Sequence, residues 1–248
     1  ISNLDDEWGF VGNTGTTFYL TTTNEAELRR IVSVDIAADN PTFTEVVGED
    51  EDVLNSTWLL GERLLVAYLD DAMTEIRRYT LDGTPDGIVD LPGIGSAGGF
   101  QGDPEEDEAY FVFTSFNAPT TIFRYDIGTG TRTVWAEPTV PVDLDQITVE
   151  QQFATSQDGT KVPVFIVRHK DVTGPAPTLL YAYGGFGISI IPYYSPPQLA
   201  WIEQGGVIAV ANLRGGGEYG KAWHEAGRRD QKQNVFDDFI AAGEYLVA

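Results

Sequence analysis

The sequence has no cysteine, one methionine and two histidines among its 248 residues. Without cysteine there are no disulfides and no thiolate metal sites, and the redox compartment stays open. No His/Asp/Glu cluster has metal-ligand spacing either. Basic residues are scarce: 15 Lys and Arg stand against 38 Asp and Glu, a formal net charge of −23. A surface of that sign repels nucleic acid and anionic membranes, so neither is expected as a partner. No apolar run approaches the ~18–20 residues needed to span a bilayer. No basic and apolar leader stands before the first strands, and residue 1 is isoleucine. The chain is therefore expected to have been cut from something longer. Its compartment, cytoplasm or periplasm, is left open.

Hydrophobic residues make up 42% of the chain, enough for one large or two moderate domains with a sizeable core. The first ~140 residues alternate short β-rich runs with turns, and nothing there has a helical period. Three segments resemble one another. In the first, Gly15–Thr21 leads across a polar turn to Arg30–Asp35. In the second, Arg63–Leu69 leads to Arg77–Asp82, and in the third Ala109–Ser115 leads to Ile122–Asp126. Their turn alanines, Ala26, Ala72 and Ala118, fall 46 residues apart each time. A period in the forties in an all-β region is the spacing of propeller blades, and about three blades form an open arc with two bare faces. A β-sandwich with accidental self-similarity is the other reading.

Pro138–Asp143 reads as a linker, which divides the chain at 1–142 and 143–248. Beyond it, Ile147–Thr155 alternates like a strand, Asp158-Gly159 turns the chain, and Val162–Val167 returns it. Two short apolar runs follow. Thr178-Leu179-Leu180-Tyr181-Ala182 enters Tyr183-Gly184-Gly185-Phe186, and Val207–Ala211 enters Asn212-Leu213-Arg214-Gly215-Gly216-Gly217-Glu218. Apolar runs ending in glycine turns predict strands of a parallel sheet, buried on both faces. Ligands of such sheets gather beyond the carboxyl ends of the strands. Tyr183 and Phe186 are thus placed either at a chemical edge or as aromatics that cover the sheet end. Asn234 is expected to cap a helix with Asp237 and Asp238 in its first turn. Phe236, Phe239, Ile240, Tyr245 and Leu246 would form its apolar face.

Tyr-Gly-Gly-Phe, Asn-x-Arg-Gly-Gly-Gly-Glu-Tyr-Gly, Trp-His and Gln-Asn-x-Phe-Asp-Asp-Phe occur here in order. This ordered set resembles the prolyl oligopeptidase family, serine peptidases in which a β-propeller caps an α/β-hydrolase domain. The resemblance implies the last propeller blades, then the start of the hydrolase domain. It implies an endopeptidase that cuts after proline in short peptides, without a cofactor and as a monomer when complete. By resemblance Tyr183 supplies one oxyanion donor, Phe186 lines the pocket for the proline ring, and Arg214 pairs with Asp238 to brace the active-site loops. Glu218 is a weaker candidate for that brace. A basic-residue-specific oligopeptidase of the same family is the runner-up. Gly185-Phe186 and Gly215-Gly216-Gly217 depart from what that branch carries. A non-catalytic propeller module that binds peptides or proteins is the reading from another class.

A hydrolase of this kind needs a serine on a sharp strand-to-helix turn, followed by Asp and His. Gly95-Ser96-Ala97-Gly98 lacks the leading pattern, since residue 94 is isoleucine, and Ser96 reads as a turn residue. Ser195, before two prolines, reads as loop. His169 reads as a solvated strand end, and His224 comes too early in the chain to be the base. The glycines at 215–217 lack the Lys-Ser/Thr ending of a phosphate loop. The triad is therefore expected outside these residues, and the chain alone is expected to be inactive.

Overall fold

The computed structural model describes residues 5–248. Its first three sheets are antiparallel meanders of four strands, each in chain order. The first is β1 (Trp8–Thr14), β2 (Thr17–Thr22), β3 (Arg30–Asp35) and β4 (Thr44–Val47). The second is β5 (Val53–Leu60), β6 (Arg63–Asp70), β7 (Met73–Thr80) and β8 (Pro85–Ile88). The third is β9 (Ser96–Gly102), β10 (Glu108–Ser115), β11 (Ala118–Asp126) and β12 (Thr131–Ala136). The three repeats of the sequence are the inner hairpins, β2–β3, β6–β7 and β10–β11, and two more strands flank each.

Burial explains why the middle repeat looks different from the others. Leu64, Val66 and Tyr68 pack toward the first sheet with Tyr19, Ile31 and Val47. Leu65, Ala67 and Ile76 pack toward the third sheet with Phe100, Phe111, Phe123 and Tyr125. A strand covered on both faces needs a continuous apolar run, which β6 has, whereas β11 is covered on one face and alternates. The far face of the third sheet leaves Val112, Ile122 and Trp135 exposed, and the first sheet leaves Phe10 exposed. Arg78 joins the second and third sheets. Its guanidinium donates to Asp86, the Tyr125 hydroxyl and the Ile127 carbonyl.

The fourth sheet contains β13 (Ile147–Thr155), β14 (Lys161–His169), β15 (Thr178–Ala182) and β16 (Val207–Ala211) in the order β13-β14-β16-β15. Only the β15–β16 pair is parallel. One face, with Phe165, Val167, Ile208 and Val210, is covered by helix α1 (Pro196–Ile202) through Leu199 and Ile202. The same cluster takes in Ala72 and Phe116 from the β6–β7 and β10–β11 turns, so one core joins the meanders to this sheet. The other face, with Val162, Val164, Ala209 and Ala211, is covered by Val235 and Ala242 of helix α3 (Gln233–Val247). A short helix α2 (Gly220–Glu225) lies between.

Several expectations need correction. β16 is buried throughout, but β15 is the edge strand and leaves Leu179 and Tyr181 about half exposed. Apolar character marked both as interior, although only β16 has a neighbour on each side. Helix α3 presents the opposite face to the sheet. Val235, Asp238, Ala241 and Ala242 are buried, while Phe236, Phe239, Ile240 and Tyr245 are exposed. Small side chains let the helix approach closely, and Asp238 turns inward because a buried cation awaits it. Asn234 does not cap α3; it lies inside the helix and donates to the Ala226 carbonyl at 2.9 Å. Asp237 and Asp238 fall beyond the first turn, which holds no acidic residue. Ser96 opens β9 instead of turning, and its hydroxyl donates to the Pro192 carbonyl at 2.7 Å. Ser195 is loop as expected, immediately before α1, a helix that begins with the two prolines, where missing N–H groups cost nothing.

Candidate active site

Two glycine loops lie against each other at the carboxyl ends of β15 and β16. In the first loop, Gly184, Phe186 and Gly187 all have positive φ. Gly184 is required: at φ +58° an added Cβ would also lie 2.5 Å from Val235 Cγ1. Gly217, in the second loop, would put a Cβ 2.4 Å from the Gly187 carbonyl oxygen, so close contact between the loops excludes a side chain there. The Gly187 N–H donates to the Gly215 carbonyl at 3.0 Å, and His224 Nδ1 donates to the same carbonyl at 2.8 Å. Lys232 Nζ donates to the Gly184 carbonyl at 2.8 Å.

This clamp presents two rings. Tyr183 is 46% exposed and Phe186 is 86% exposed, with ring centroids 6.5 Å apart and planes inclined at 37°. A non-glycine residue at φ +55° costs of order 1 kcal/mol or more, and an apolar ring in water gains nothing to offset it. Phe186 thus combines a left-handed backbone with an exposed apolar ring.

Arg214 is buried behind these loops. Its Nε and Nη2 form a fork with Asp238, at 2.9 Å to Oδ2 and 2.6 Å to Oδ1, and the Asp238 carboxylate also accepts from the Arg214 backbone N–H. Nη1 donates to Asp158 and Nη2 to the Ser156 hydroxyl. Asp238 is fully buried and Asp158 is half exposed, so one guanidinium joins α3, the β16 loop and the β13–β14 turn. That hydrogen bond with Arg214, aided by the Thr160 N–H, lowers the Asp158 pKa to about 2. Sequence reasoning treated Asp158 as a hairpin residue only; the Asp-Gly pair carried no sign that its carboxylate was committed to a cation 56 residues away.

Glu218 lies apart from that ion-pair network. It accepts from the Ile190 N–H and from Asn212 Nδ2, both at 3.0 Å, and so ties the end of the Phe186 loop to the second glycine loop. Burial raises its pKa. The next residue, Tyr219, donates its hydroxyl to Asp71 in the β6–β7 turn, and Gln151 donates to the Asp71 carbonyl. Asp71 was also missed, as a turn residue of an unrelated segment.

No serine hydroxyl is hydrogen-bonded to either histidine among the described residues. His169, at the end of β14, accepts from the Asp171 N–H at 3.2 Å, and His224 serves the Gly215 carbonyl. No group of three or more His, Asp or Glu able to hold a metal occurs among the described residues.

Residues 1–138 match the prolyl oligopeptidase N-terminal β-propeller domain, and residues 192–248 match the prolyl oligopeptidase family. A prolyl endopeptidase of Elizabethkingia miricola is 42% identical over 251 residues, covering 99% of this chain and 35% of the relative. The chain thus spans about a third of the length of the relatives it matches. A structure from a study of two prolyl endopeptidases superposes with a TM-score of 0.86 at 50% identity, over all of this chain and 36% of the other. A variant of prolyl oligopeptidase B from Galerina marginata, bound to a 35mer hydrolysis and macrocyclization substrate, gives 0.92 at 31% identity, again over 100% and 36%. Fold, loop motifs and sequence agree along the whole length, and the chain belongs to the prolyl oligopeptidase family.

Proposed function

We propose that this chain is part of a longer serine endopeptidase that hydrolyses peptide bonds on the carboxyl side of proline in short peptides. The observation that carries the reading is the strained, exposed Phe186 beside the Tyr183 hydroxyl at the end of the parallel strand pair. A flat apolar ring suits a pyrrolidine, which has no N–H to satisfy. A phenol at its side can donate to a carbonyl oxygen as that oxygen gains charge. Arg214, with Asp238 and Asp158, holds the loops that carry both rings, and Glu218 ties them together from the other side. None of these three acidic groups faces the substrate in this reading.

Each four-stranded meander is taken as one propeller blade, three in all, with the boundary to the catalytic domain at 142/143. The propeller would restrict access to short peptides. The working enzyme is taken to be monomeric, with no nucleic acid, membrane or cofactor. Taken alone, the chain should not cleave peptides, because among the described residues no serine, histidine and aspartate stand together to act as nucleophile and base. Proline is preferred to a basic residue as the recognised side chain. Arg228, Arg229 and Lys232 line the cleft with Phe186 and would repel an arginine or lysine entering it.

Assaying the full-length enzyme on paired proline and arginine reporter peptides tests this. Cleavage after proline with little after arginine is the expected result, and preferential arginine cleavage would overturn it.

A further inference from the structure

The cleft beside Phe186 encloses about 480 Å³, and its lining carries charge of one sign only. Gly185, Phe186, Gly215 and Gly227 supply its neutral wall, and His224, Arg228, Arg229 and Lys232 supply the rest. In a chain with 38 acidic residues against 15 basic ones, most arginines are neutralised by a carboxylate. Arg228 is one of these, paired with Glu225 at 2.8 Å. Arg229 is different, since among the described residues it forms no ion pair, and Lys232, like Lys161, Lys170 and Lys221, forms none either. Lys232 Nζ reaches only the Gly184 carbonyl at 2.8 Å, which leaves its charge and two of its three protons unmatched by any anion. Arg229 sits at φ +51°, a second strained non-glycine residue on the rim of the same cleft. Acidic groups are in surplus throughout the sequence, yet among the described residues none lies within ion-pair distance of these two cations.

Resting on the reading of Phe186 as the wall of the proline pocket, we propose that Arg229 and Lys232 form a subsite for a carboxylate of the peptide substrate next to that proline. The carboxylate can belong to an acidic side chain flanking the proline or to the peptide's own C-terminus. Arg229 would take it through its guanidinium fork, and Lys232 would add a point charge while still holding the Gly184 carbonyl. Both cations are solvent-exposed, so the gain is modest and sensitive to salt.

The test uses the full-length enzyme and short proline peptides in two matched pairs. In one pair Asp or Asn stands beside the proline, and in the other the C-terminus is free or amidated. Cleavage gives kcat/KM, and fluorescence anisotropy of labelled peptides gives binding independently of turnover. The expected result is a preference of about two- to fivefold for one carboxylate form over its neutral isostere at low ionic strength. It should shrink in 0.5 M salt and disappear in Arg229→Gln. The Asp/Asn and acid/amide pairs tell the side-chain source from the terminal one. Equal binding and cleavage of all forms by the wild type, with proline peptides still turned over, would overturn the subsite and leave the peptidase reading intact. A carboxylate preference in binding that Arg229→Gln abolishes, with no cleavage of any peptide, would uphold the subsite and overturn the peptidase reading. Retention of the preference in Arg229→Gln and in Lys232→Gln would also overturn the proposal.

Discussion

Tyr183 carries the sharpest residue-scale prediction. Changing it to phenylalanine in the full-length enzyme removes one hydroxyl from a side chain that is already half exposed, so packing survives. If the hydroxyl meets the developing oxyanion, kcat on a proline amide should fall about 10²–10³-fold. A wild-type kcat would exclude the oxyanion role, and a rise in KM alone would assign the hydroxyl to ground-state binding. Asp158 gives a prediction about pH. Its pKa is about 2 in the fold, below the ordinary carboxylate value, chiefly through its hydrogen bond to Arg214. A depressed folded pKa contributes stability above the unfolded pKa near 4, and the contribution is lost as pH falls from about 4 toward 2. Because the side chain is half exposed, solvent screening cuts the contribution to about 1 kcal/mol. Urea titrations should therefore show Asp158→Asn less stable than wild type by about that amount at pH 7. The two should converge near pH 2.

At the scale of the element, helix α3 shows what an apolar pattern alone can miss. Its largest apolar side chains lie outward and its alanines inward, against Ala154, Val162, Val164 and Ala209 of the sheet. Ala242→Leu should over-pack that contact and cost about 1–3 kcal/mol. Ile240→Ser, on the exposed side, should change stability by no more than about 0.5 kcal/mol in the same chain. Chemical denaturation of the two variants checks the assignment, and the reverse ranking would contradict it. Periodicity had identified the helix correctly, because Phe236, Phe239 and Ile240 do share a face. Which face meets the sheet depends on Asp238, whose carboxylate must reach the buried Arg214. An unpaired buried guanidinium would cost several kcal/mol.

For the whole molecule, the joint between the meanders and the fourth sheet is decisive. Phe116 leaves the β10–β11 turn and packs on Phe165 and Tyr193, with ring centroids 5.5 Å and 5.8 Å apart. Around it, Asn117 donates to the Ile147 carbonyl, Ser96 to the Pro192 carbonyl, and the Tyr194 N–H to the Thr114 hydroxyl. Phe116→Ala should destabilise by about 3–5 kcal/mol, as for a buried phenylalanine. Because the joint is one apolar cluster with its own hydrogen bonds, near- and far-ultraviolet signals should still fall in one transition. Two separated transitions in the wild type would show that the two parts unfold independently. No helix among the described residues is long and apolar enough to cross a membrane.

Much of this was legible in order along the chain, because β-strands and glycine turns are local. The 46-residue repeat, the Asp158-Gly159 hairpin and the two strands that end in glycine loops all follow from neighbours a few residues apart. The family motifs likewise pointed to Tyr183, Phe186 and Arg214, since each lies inside a contiguous block. What the sequence could not decide was anything set by partners far apart in the chain. Burial of β16 but not β15, the inward turn of Asp238 and the engagement of Asp158 by Arg214 depend on which element lies beside which. So does the pairing of Tyr219 with Asp71, which are 148 residues apart. Hydrophobic period states that a face will be covered, but only the assembled sheets and the buried charge determine what covers it.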